Sequence, residues 1–223
     1  MVFEELLVND SANASLHNNL ASVLLELSQF EDAKAHIDSA LAIDDQNASS
    51  HLLAAKIHYA CNEIQQAEDE CNHALQLEPE NVDALNYMAH MAQDNGHFGL
   101  ALSLVRRALG VNASHAMSYM HLGNIYKSLG SFKESLTNYV RGLELSPNDI
   151  DAYSNMLFAL NYVAEVGPTT ATNEARRFGE LARRQVPWRY DQWPSRAAGE
   201  KIRVGFVSGD LREHPVGYFI EAL

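Results

Sequence analysis

The length, composition and charge of the chain exclude several classes of protein. Its 223 residues are 47% hydrophobic and carry charges of both signs, which favours a soluble protein that buries a core. It contains no run of eighteen apolar residues, so no membrane span is predicted. Residues 1–172 hold 7 Lys/Arg against 22 Asp/Glu, and this acidic part should repel the phosphates of nucleic acids.

The N-terminus and the cysteines indicate the compartment. Residues 1–10 have no basic stretch and carry two glutamates, so no secretory signal is predicted. Cys61 and Cys71, ten residues apart on predicted helices, form neither a disulfide framework nor a CxxC metal knuckle. Both are expected to be buried thiols, and a reduced, cytoplasmic setting fits them.

A pattern of thirty-four residues recurs along the chain. Its clearest copy is Ala116–Asp149, where Gly130 and Phe132 mark a turn between two helical stretches and Pro147 ends the unit. The same register gives three earlier copies, 14–47, 48–81 and 82–115. Counting Ala116 as position 1, three positions carry only small residues: Ala21, Ala55, Ala89 and Gly123 at position 8; Ala33, Ala67, Ala101 and Ser135 at position 20; Ala40, Ala74, Ala108 and Gly142 at position 27.

This period and these small residues resemble those of the tetratricopeptide repeat, a pair of antiparallel helices. The predicted fold is therefore an all-α superhelix, an α-α solenoid, with four full repeats at 14–149. Residues 1–13 are interpreted as a partial repeat helix. Residues 150–186 are interpreted as a partial repeat and a capping helix of about Asn173–Val186, separated by a break at Gly167 and Pro168.

The chain changes character after the repeats. Residues 187–199 contain two tryptophans and two prolines without periodicity and are interpreted as a linker. Lys201–Ser208 then favours a strand, Gly209 a turn, and His214 with Pro215 the start of a helix. Residues 200–223 thus read as a short β-α start of a truncated Rossmann-like domain. Because ligands bind beyond the carboxyl ends of such strands, His214 is a candidate general base or substrate ligand, although a histidine that caps a helix is the commoner case.

Residues 204–216, VGFVSGDLREHPV, carry a more specific resemblance. They are similar to the opening of the catalytic region of TPR-linked protein O-glycosyltransferases, which include O-linked N-acetylglucosaminyltransferases and Spindly-type O-fucosyltransferases. Leu211 stands where the family motif has an aromatic residue. The resemblance implies transfer of a sugar, N-acetylglucosamine first among the candidates, from a nucleotide sugar such as UDP-N-acetylglucosamine to Ser/Thr of proteins. It places His214 in the active site.

The resemblance also bears on what these 223 residues can do alone. The family's catalytic region has two Rossmann-like halves, and the nucleotide-sugar contacts lie mostly in the second half. We therefore expect the chain to lack the C-terminal catalytic half, to bind no cofactor itself, and to transfer no sugar as it stands. It would be either the acceptor-recognising part of such an enzyme or a free-standing scaffold that binds peptides.

First helices are expected to line the concave surface of the solenoid. Asn19, His121 and Asn155 share position 6 there, and Asn124 lies at position 9. In the resembled family this row is rich in asparagines that grip the peptide backbone through both amide atoms. The row is incomplete here, because Leu53 and Tyr87 occupy position 6 of the other repeats. These four polar residues are nevertheless the candidate peptide-binding groove for protein or peptide substrates.

The ten histidines do not predict a metal site from sequence. His17 and His51 share position 4, and His51 and His58 lie seven residues apart on one predicted helix. Neither an HExxH motif nor a matching carboxylate–histidine cluster accompanies them. We expect histidine at position 4 to replace the aromatic residue that wedges between the helices.

Overall fold

The computed structural model describes residues 13–185, and this part folds into ten helices without strands. The first helices of successive repeats are α1, α3, α5, α7 and α9, and the second helices are α2, α4, α6 and α8. A longer helix, α10, follows. Their bounds are α1 Ala14–Glu26, α2 Phe30–Ile43, α3 Ala48–Ala60, α4 Ile64–Leu77, α5 Val82–Asp94, α6 Phe98–Val111, α7 Ala116–Ser128, α8 Phe132–Leu145, α9 Ile150–Leu160 and α10 Pro168–Gln185.

The residue at position 34 of a repeat caps the first helix of the next. In four of the five cases its side-chain oxygen accepts a hydrogen bond from the backbone N–H three residues on, at 2.8–3.1 Å. Each cap satisfies one of the N–H groups that a helix start leaves without a partner. The capping residues are Asn13, Asn47, Asn81 and Asp149. His115 makes no such cap.

Position 15 turns the chain between the two helices of each repeat. Its residue has a positive φ in all four repeats: Ser28 at 58°, Asn62 at 62°, Gly96 at 75° and Gly130 at 74°. Glycine adopts this left-handed conformation without steric cost and asparagine tolerates it. The predicted turn at Gly130 is confirmed, and Phe132 begins α8 as expected.

Small residues let the two helices of each repeat approach closely. All twelve residues predicted at positions 8, 20 and 27 are buried. In the fourth repeat the space is tighter still, since a Cβ on Gly123 would lie 2.5 Å from the Tyr139 ring, and one on Gly142 would lie 2.7 Å from Met120. The other repeats carry alanine at both glycine positions and a smaller side chain in place of Tyr139, namely Ile37, Cys71 and Val105. A large side chain at position 24 thus occurs with glycine at the facing position 8, and a smaller one occurs with alanine there, so the same pair of helices can form.

The helix after the repeats starts earlier than predicted. α10 begins at Pro168 rather than near Asn173, because proline suits the first position of a helix, where its missing N–H costs nothing. None of its described residues is fully buried. It contacts α9 through Tyr153, whose hydroxyl donates to Glu174 at 2.5 Å and whose ring lies 6.0 Å from that of Phe178.

The remaining predictions differ in their outcome. Cys71 is buried as predicted, but Cys61 is only half-buried because it lies at the C-terminal cap of α3, so that prediction was wrong. The partial helix at 1–13, apart from Asn13, and the linker, the strand and His214 all lie outside the described residues. Within residues 13–185 no helix is long and apolar enough to cross a membrane.

The close approach at Gly123 predicts the effect of adding one methyl group. Gly123→Ala should lower the free energy of unfolding by about 1–3 kcal/mol, because the new Cβ overlaps the Tyr139 ring. Gly110→Ala is the matched control, since no atom lies within 4 Å of a Cβ on this helical glycine. We expect the control to leave stability unchanged or to raise it by up to about 1 kcal/mol. Urea unfolding measures both variants, and equal effects would contradict the packing described.

Candidate functional site

A row of side chains runs along the first helices from the second repeat to the fifth. Its rings are half-buried except Phe158, which is exposed. We call it the first-helix row, and its members are Tyr59, Tyr87, His90, His121, Lys127, Asn155 and Phe158. Because four successive first helices, α3, α5, α7 and α9, contribute to it, the row is a surface that no single repeat could provide.

Position 12 links the first helices of the second to the fifth repeat. Tyr59, Gln93 and Lys127 occupy this position in three successive repeats, and each donates a hydrogen bond to the following first helix. The acceptors are the carboxylate of Asp94 for Tyr59, the Ser128 hydroxyl for Gln93 at 3.4 Å, and the Asn155 Oδ1 for Lys127 at 2.7 Å. These bonds join neighbouring first helices along the row.

Four rings form the centre of the first-helix row. Tyr59 packs edge-on against Tyr87 and His90, with ring centroids 6.1 and 5.9 Å apart, and His90 contacts Tyr87 and His121, each at 6.1 Å. The Lys56 ammonium lies 5.8 Å from the centroid of the Tyr87 ring. Separations and tilts of this kind are those that aromatic rings prefer, so the group is a rigid platform.

Burial shifts the pKa of two rings at the centre of the row, His121 and Tyr59, and keeps both uncharged at neutral pH. It lowers the pKa of His121 to about 4, helped by repulsion from His90 and His115. It also raises the pKa of Tyr59 to about 12, reinforced by the hydrogen bond to Asp94 and its negative charge. His121 therefore keeps one donor and one acceptor nitrogen. Burial likewise lowers the pKa of Lys127, which lies over the Phe158 ring at 5.8 Å.

The four predicted groove residues lie in different surroundings. Asn19 is exposed on α1. His121 belongs to the aromatic centre of the row. Asn124 instead turns toward its own second helix, where its Oδ1 accepts a hydrogen bond from the Tyr139 hydroxyl at 2.6 Å. Asn155 accepts from Lys127. Each amide oxygen thus accepts one hydrogen bond within the protein, and both amides keep N–H groups to offer a ligand.

Sequence reasoning missed the members of the row at positions 9 and 12. Tyr59, His90, Lys127 and Phe158 lie there, and the thirty-four-residue register could have found them, because both positions face the next first helix.

An apolar cavity of about 410 Å³ was also not foreseen. It lies between α8, α9 and α10, where a regular second helix would pack, and its lining includes Leu136, Val140, Met156, Leu160 and Val166.

A serine, a histidine and an aspartate meet at the start of α7 without forming a reactive site. His115 Nδ1 lies 2.9 Å from the Ser118 hydroxyl, and its Nε2 lies 3.6 Å from an Asp83 oxygen. Ser118 has no exposed surface, so its hydroxyl is out of reach of a substrate. The same hydroxyl accepts from Asn86 at 2.8 Å, which makes this a structural contact between the third and fourth repeats.

A carboxylate and a second histidine join His51 in the second repeat. Glu70 and His73 on α4 face His51 on α3, and one ligand atom from each residue lies within 4.8 Å of the others. The expectation that no carboxylate–histidine cluster accompanies His51 was therefore wrong. The signal in the sequence was the i, i+3 spacing of Glu70 and His73 on a helix predicted to pack against His51.

Comparison with known proteins identifies the repeats. The tetratricopeptide repeat family matches residues 18–82, and a related TPR repeat family matches residues 123–159. A TPR protein described as having an unusual peptide-binding site, YrrB, has the same fold, with a TM-score of 0.53 and 20% identity over 83% of this chain and 94% of its own. The chain therefore carries tetratricopeptide repeats, as the thirty-four-residue register predicts.

The relatives of 30% identity or more are enzymes of different kinds. Serine/threonine-protein phosphatase T of Trypanosoma brucei brucei is 30% identical over 119 residues, 52% of this chain and 25% of the phosphatase. The rice protein SPINDLY, a probable UDP-N-acetylglucosamine–peptide N-acetylglucosaminyltransferase, is 33% identical over 85 residues, 38% of this chain and 9% of SPINDLY. The Thermobaculum terrenum O-GlcNAc transferase mutant K341M has a TM-score of 0.59 and 32% identity over 78% of this chain and 34% of its own.

These matches cover no more than a quarter of the two curated relatives. The relatives concerned are a phosphatase and a probable transferase, so they do not agree on one activity. The comparisons thus define a repeat protein of the kind that mediates contacts between proteins.

The low pKa of His121 predicts a pH-dependent loss of stability. Between the unfolded pKa near 6.5 and the folded value of about 4, the unfolded chain binds more protons, so acidification favours unfolding. Between pH 7.5 and 5 this group should lower the free energy of unfolding by about 2 kcal/mol. His121→Gln, which cannot titrate, should lose that much less than the unmodified protein in urea unfolding at the two pH values. Identical losses would show that His121 titrates normally in the folded state.

Proposed function

We propose that the chain is a protein-interaction module that binds an extended peptide along its first-helix row. The observation that carries the proposal is the continuity of this row, in which rings and polar groups from four successive first helices meet at hydrogen-bond or ring-contact distance. First helices line the concave side of tetratricopeptide solenoids, where partner proteins find an extended surface. YrrB, which shares the fold, has a peptide-binding site of its own.

The chemistry of the row suits a peptide backbone with apolar side chains. Tyr59 and Tyr87 offer large rigid surfaces at low entropic cost. His121, neutral at physiological pH, can donate to a carbonyl oxygen and accept from an N–H. Asn124 and Asn155 would contribute their amide N–H groups to carbonyl oxygens. Their main role would be to donate hydrogen bonds, because each Oδ1 already accepts one bond within the protein.

Two exposed apolar residues provide a matched test of this proposal. Phe158 lies in the first-helix row and is 48% exposed, whereas Leu100 lies on second helix α6 and is 51% exposed. Phe158→Ala should weaken binding to a panel of labelled extended peptides about tenfold, which corresponds to about 1.4 kcal/mol. Leu100→Ala should leave binding unchanged. Fluorescence anisotropy measures both, and equal affinities for the two variants would contradict binding along the row.

We propose as a second candidate that this module serves a protein O-glycosyltransferase as its acceptor-recognising part. Two observations support it: the 32% identity to the Thermobaculum terrenum enzyme over 78% of this chain, and the motif at 204–216. In this proposal residues 200–223 begin the catalytic domain, and His214 lies in its active site. The donor of the intact enzyme would be a nucleotide sugar such as UDP-N-acetylglucosamine, held by a further catalytic half.

Sugar transfer tests the second candidate separately from peptide binding. The protein encoded by the complete reading frame that contains this chain is incubated with radiolabelled UDP-N-acetylglucosamine and a mixture of acceptor proteins. We expect label on Ser/Thr, at least a hundredfold less with His214→Ala, and no change with His97→Ala, an exposed histidine at the start of α6. The absence of transfer with both UDP-N-acetylglucosamine and GDP-fucose would contradict the candidate and leave the binding module intact.

A further inference from the structure

We propose that the second repeat binds a divalent transition metal, Zn²⁺ in the first place, between His51, Glu70 and His73. His51 comes from first helix α3, and the other two come from second helix α4. Their ligand atoms lie within 4.8 Å of one another, and His51 Nδ1 lies 2.6 Å from Glu70 Oε2. The rings of the two histidines have centroids 5.1 Å apart. We call these three residues the second-repeat cluster.

The contacts of His51 require a proton or a metal ion next to its Nδ1. Its Nε2 lies 3.0 Å from the backbone oxygen of Asp45, which can only accept, so Nε2 carries the hydrogen. In the neutral ring Nδ1 then has a lone pair, and it faces the carboxylate of Glu70, which also only accepts. Two acceptors at this distance repel each other unless a proton or a metal ion lies between them. His51 is 7% exposed, so bulk water does not relieve this repulsion.

The third member distinguishes a metal ion from a proton. A proton shared by His51 and Glu70 needs no further ligand, whereas a metal ion needs at least three. His73 supplies the third, and it lies one helical turn after Glu70, so both project from the same face of α4. Two imidazoles and one carboxylate are a ligand set that zinc uses in proteins, with a fourth position left to water.

The surroundings of the cluster fit a bound metal ion as well. A histidine that binds a metal usually donates its other ring N–H to a carbonyl or carboxylate, as His51 does to Asp45. A cavity of about 260 Å³ opens next to the cluster, lined by Asp45, Gln46, His51, His73, Gln76 and Leu77, and it gives an ion and its water a way in.

Binding would require the ligand atoms to move by no more than about 1.5 Å, since they now lie within 4.8 Å of one another and the exposed His73 is free to approach. Ligand atoms around a tetrahedral zinc ion stand about 3.3 Å apart, given zinc–ligand distances near 2.0–2.1 Å. His51 Nδ1 and Glu70 Oε2 must therefore separate by less than 1 Å from their present 2.6 Å. The Glu70 side chain is 25% exposed and can make that movement, while the buried His51 stays in place.

The repeat fold itself does not require these residues. The same pair of positions holds Leu85 with Leu104 in the third repeat and Tyr119 with Asn138 in the fourth, and both repeats fold in the same way. A buried histidine facing a carboxylate is thus an addition to the second repeat, consistent with a ligand of its own. A bound ion would join α3 to α4 and stabilise this repeat.

Zinc titration of the full chain tests the proposal. After treatment with a chelator and its removal, calorimetry should show Zn²⁺ binding to the second-repeat cluster, and Zn²⁺ should raise the thermal midpoint of unfolding. His73→Gln should weaken this binding more than tenfold, since even an outer-shell partner is typically worth 10–100-fold in metal affinity. His73 is exposed, so the variant should fold, and circular dichroism verifies this. His97→Gln, another exposed histidine, should bind Zn²⁺ as the unmodified chain does.

Glu70→Gln provides an independent variant, because it keeps the size of the side chain and removes its charge. It should weaken zinc binding to a similar extent, and Co²⁺ should lose its tetrahedral visible absorption in this variant. Saturable binding that survives unchanged in both His73→Gln and Glu70→Gln would overturn the proposal. So would the absence of saturable binding to the unmodified chain, which would mean that a proton joins His51 to Glu70.

Discussion

The close approach of paired helices at positions 8, 20 and 27 is the constraint on which the rest of the structure depends. Because no side chain larger than a methyl or a hydroxymethyl group occupies these positions, the two helices of every repeat can approach closely at the same places. Successive repeats then stack in the same register. Residues 28 or 35 positions apart consequently meet, as Lys127 meets Asn155 and Tyr59 meets Asp94. The first-helix row exists because this spacing is repeated.

The repeated scaffold leaves a few positions free to carry function. Within a repeat, position 4 faces positions 23 and 26, and the second repeat places His51, Glu70 and His73 there. Between repeats, position 12 faces the next first helix, where it finds Asp94, Ser128 or Asn155. The same backbone therefore supports a ring platform on one set of positions and a candidate metal site on another. This separation is consistent with similarity to two different enzymes, a phosphatase and a probable glycosyltransferase.

Periodicity predicted the backbone well and the side-chain partners poorly. The small residues, the turn at Gly130 and the helix pairs follow from spacing alone, because helix packing repeats with the sequence. The start of α10 was misplaced because proline can open a helix as well as end one. The engagement of Asn124 with Tyr139 and the meeting of Glu70 with His51 depend on how two helices face each other, which a pattern along one helix does not contain.

The central claim is that a peptide lies along the first-helix row, and nuclear magnetic resonance of the tyrosine rings tests it most directly. Tyr59 and Tyr87 belong to the row, whereas the hydroxyl of Tyr126 accepts a hydrogen bond from Arg106 on second helix α6. On addition of a peptide that binds, the ring signals of Tyr59 and Tyr87 should shift while that of Tyr126 stays in place. A shift of Tyr126 with unchanged Tyr59 and Tyr87 would contradict the account.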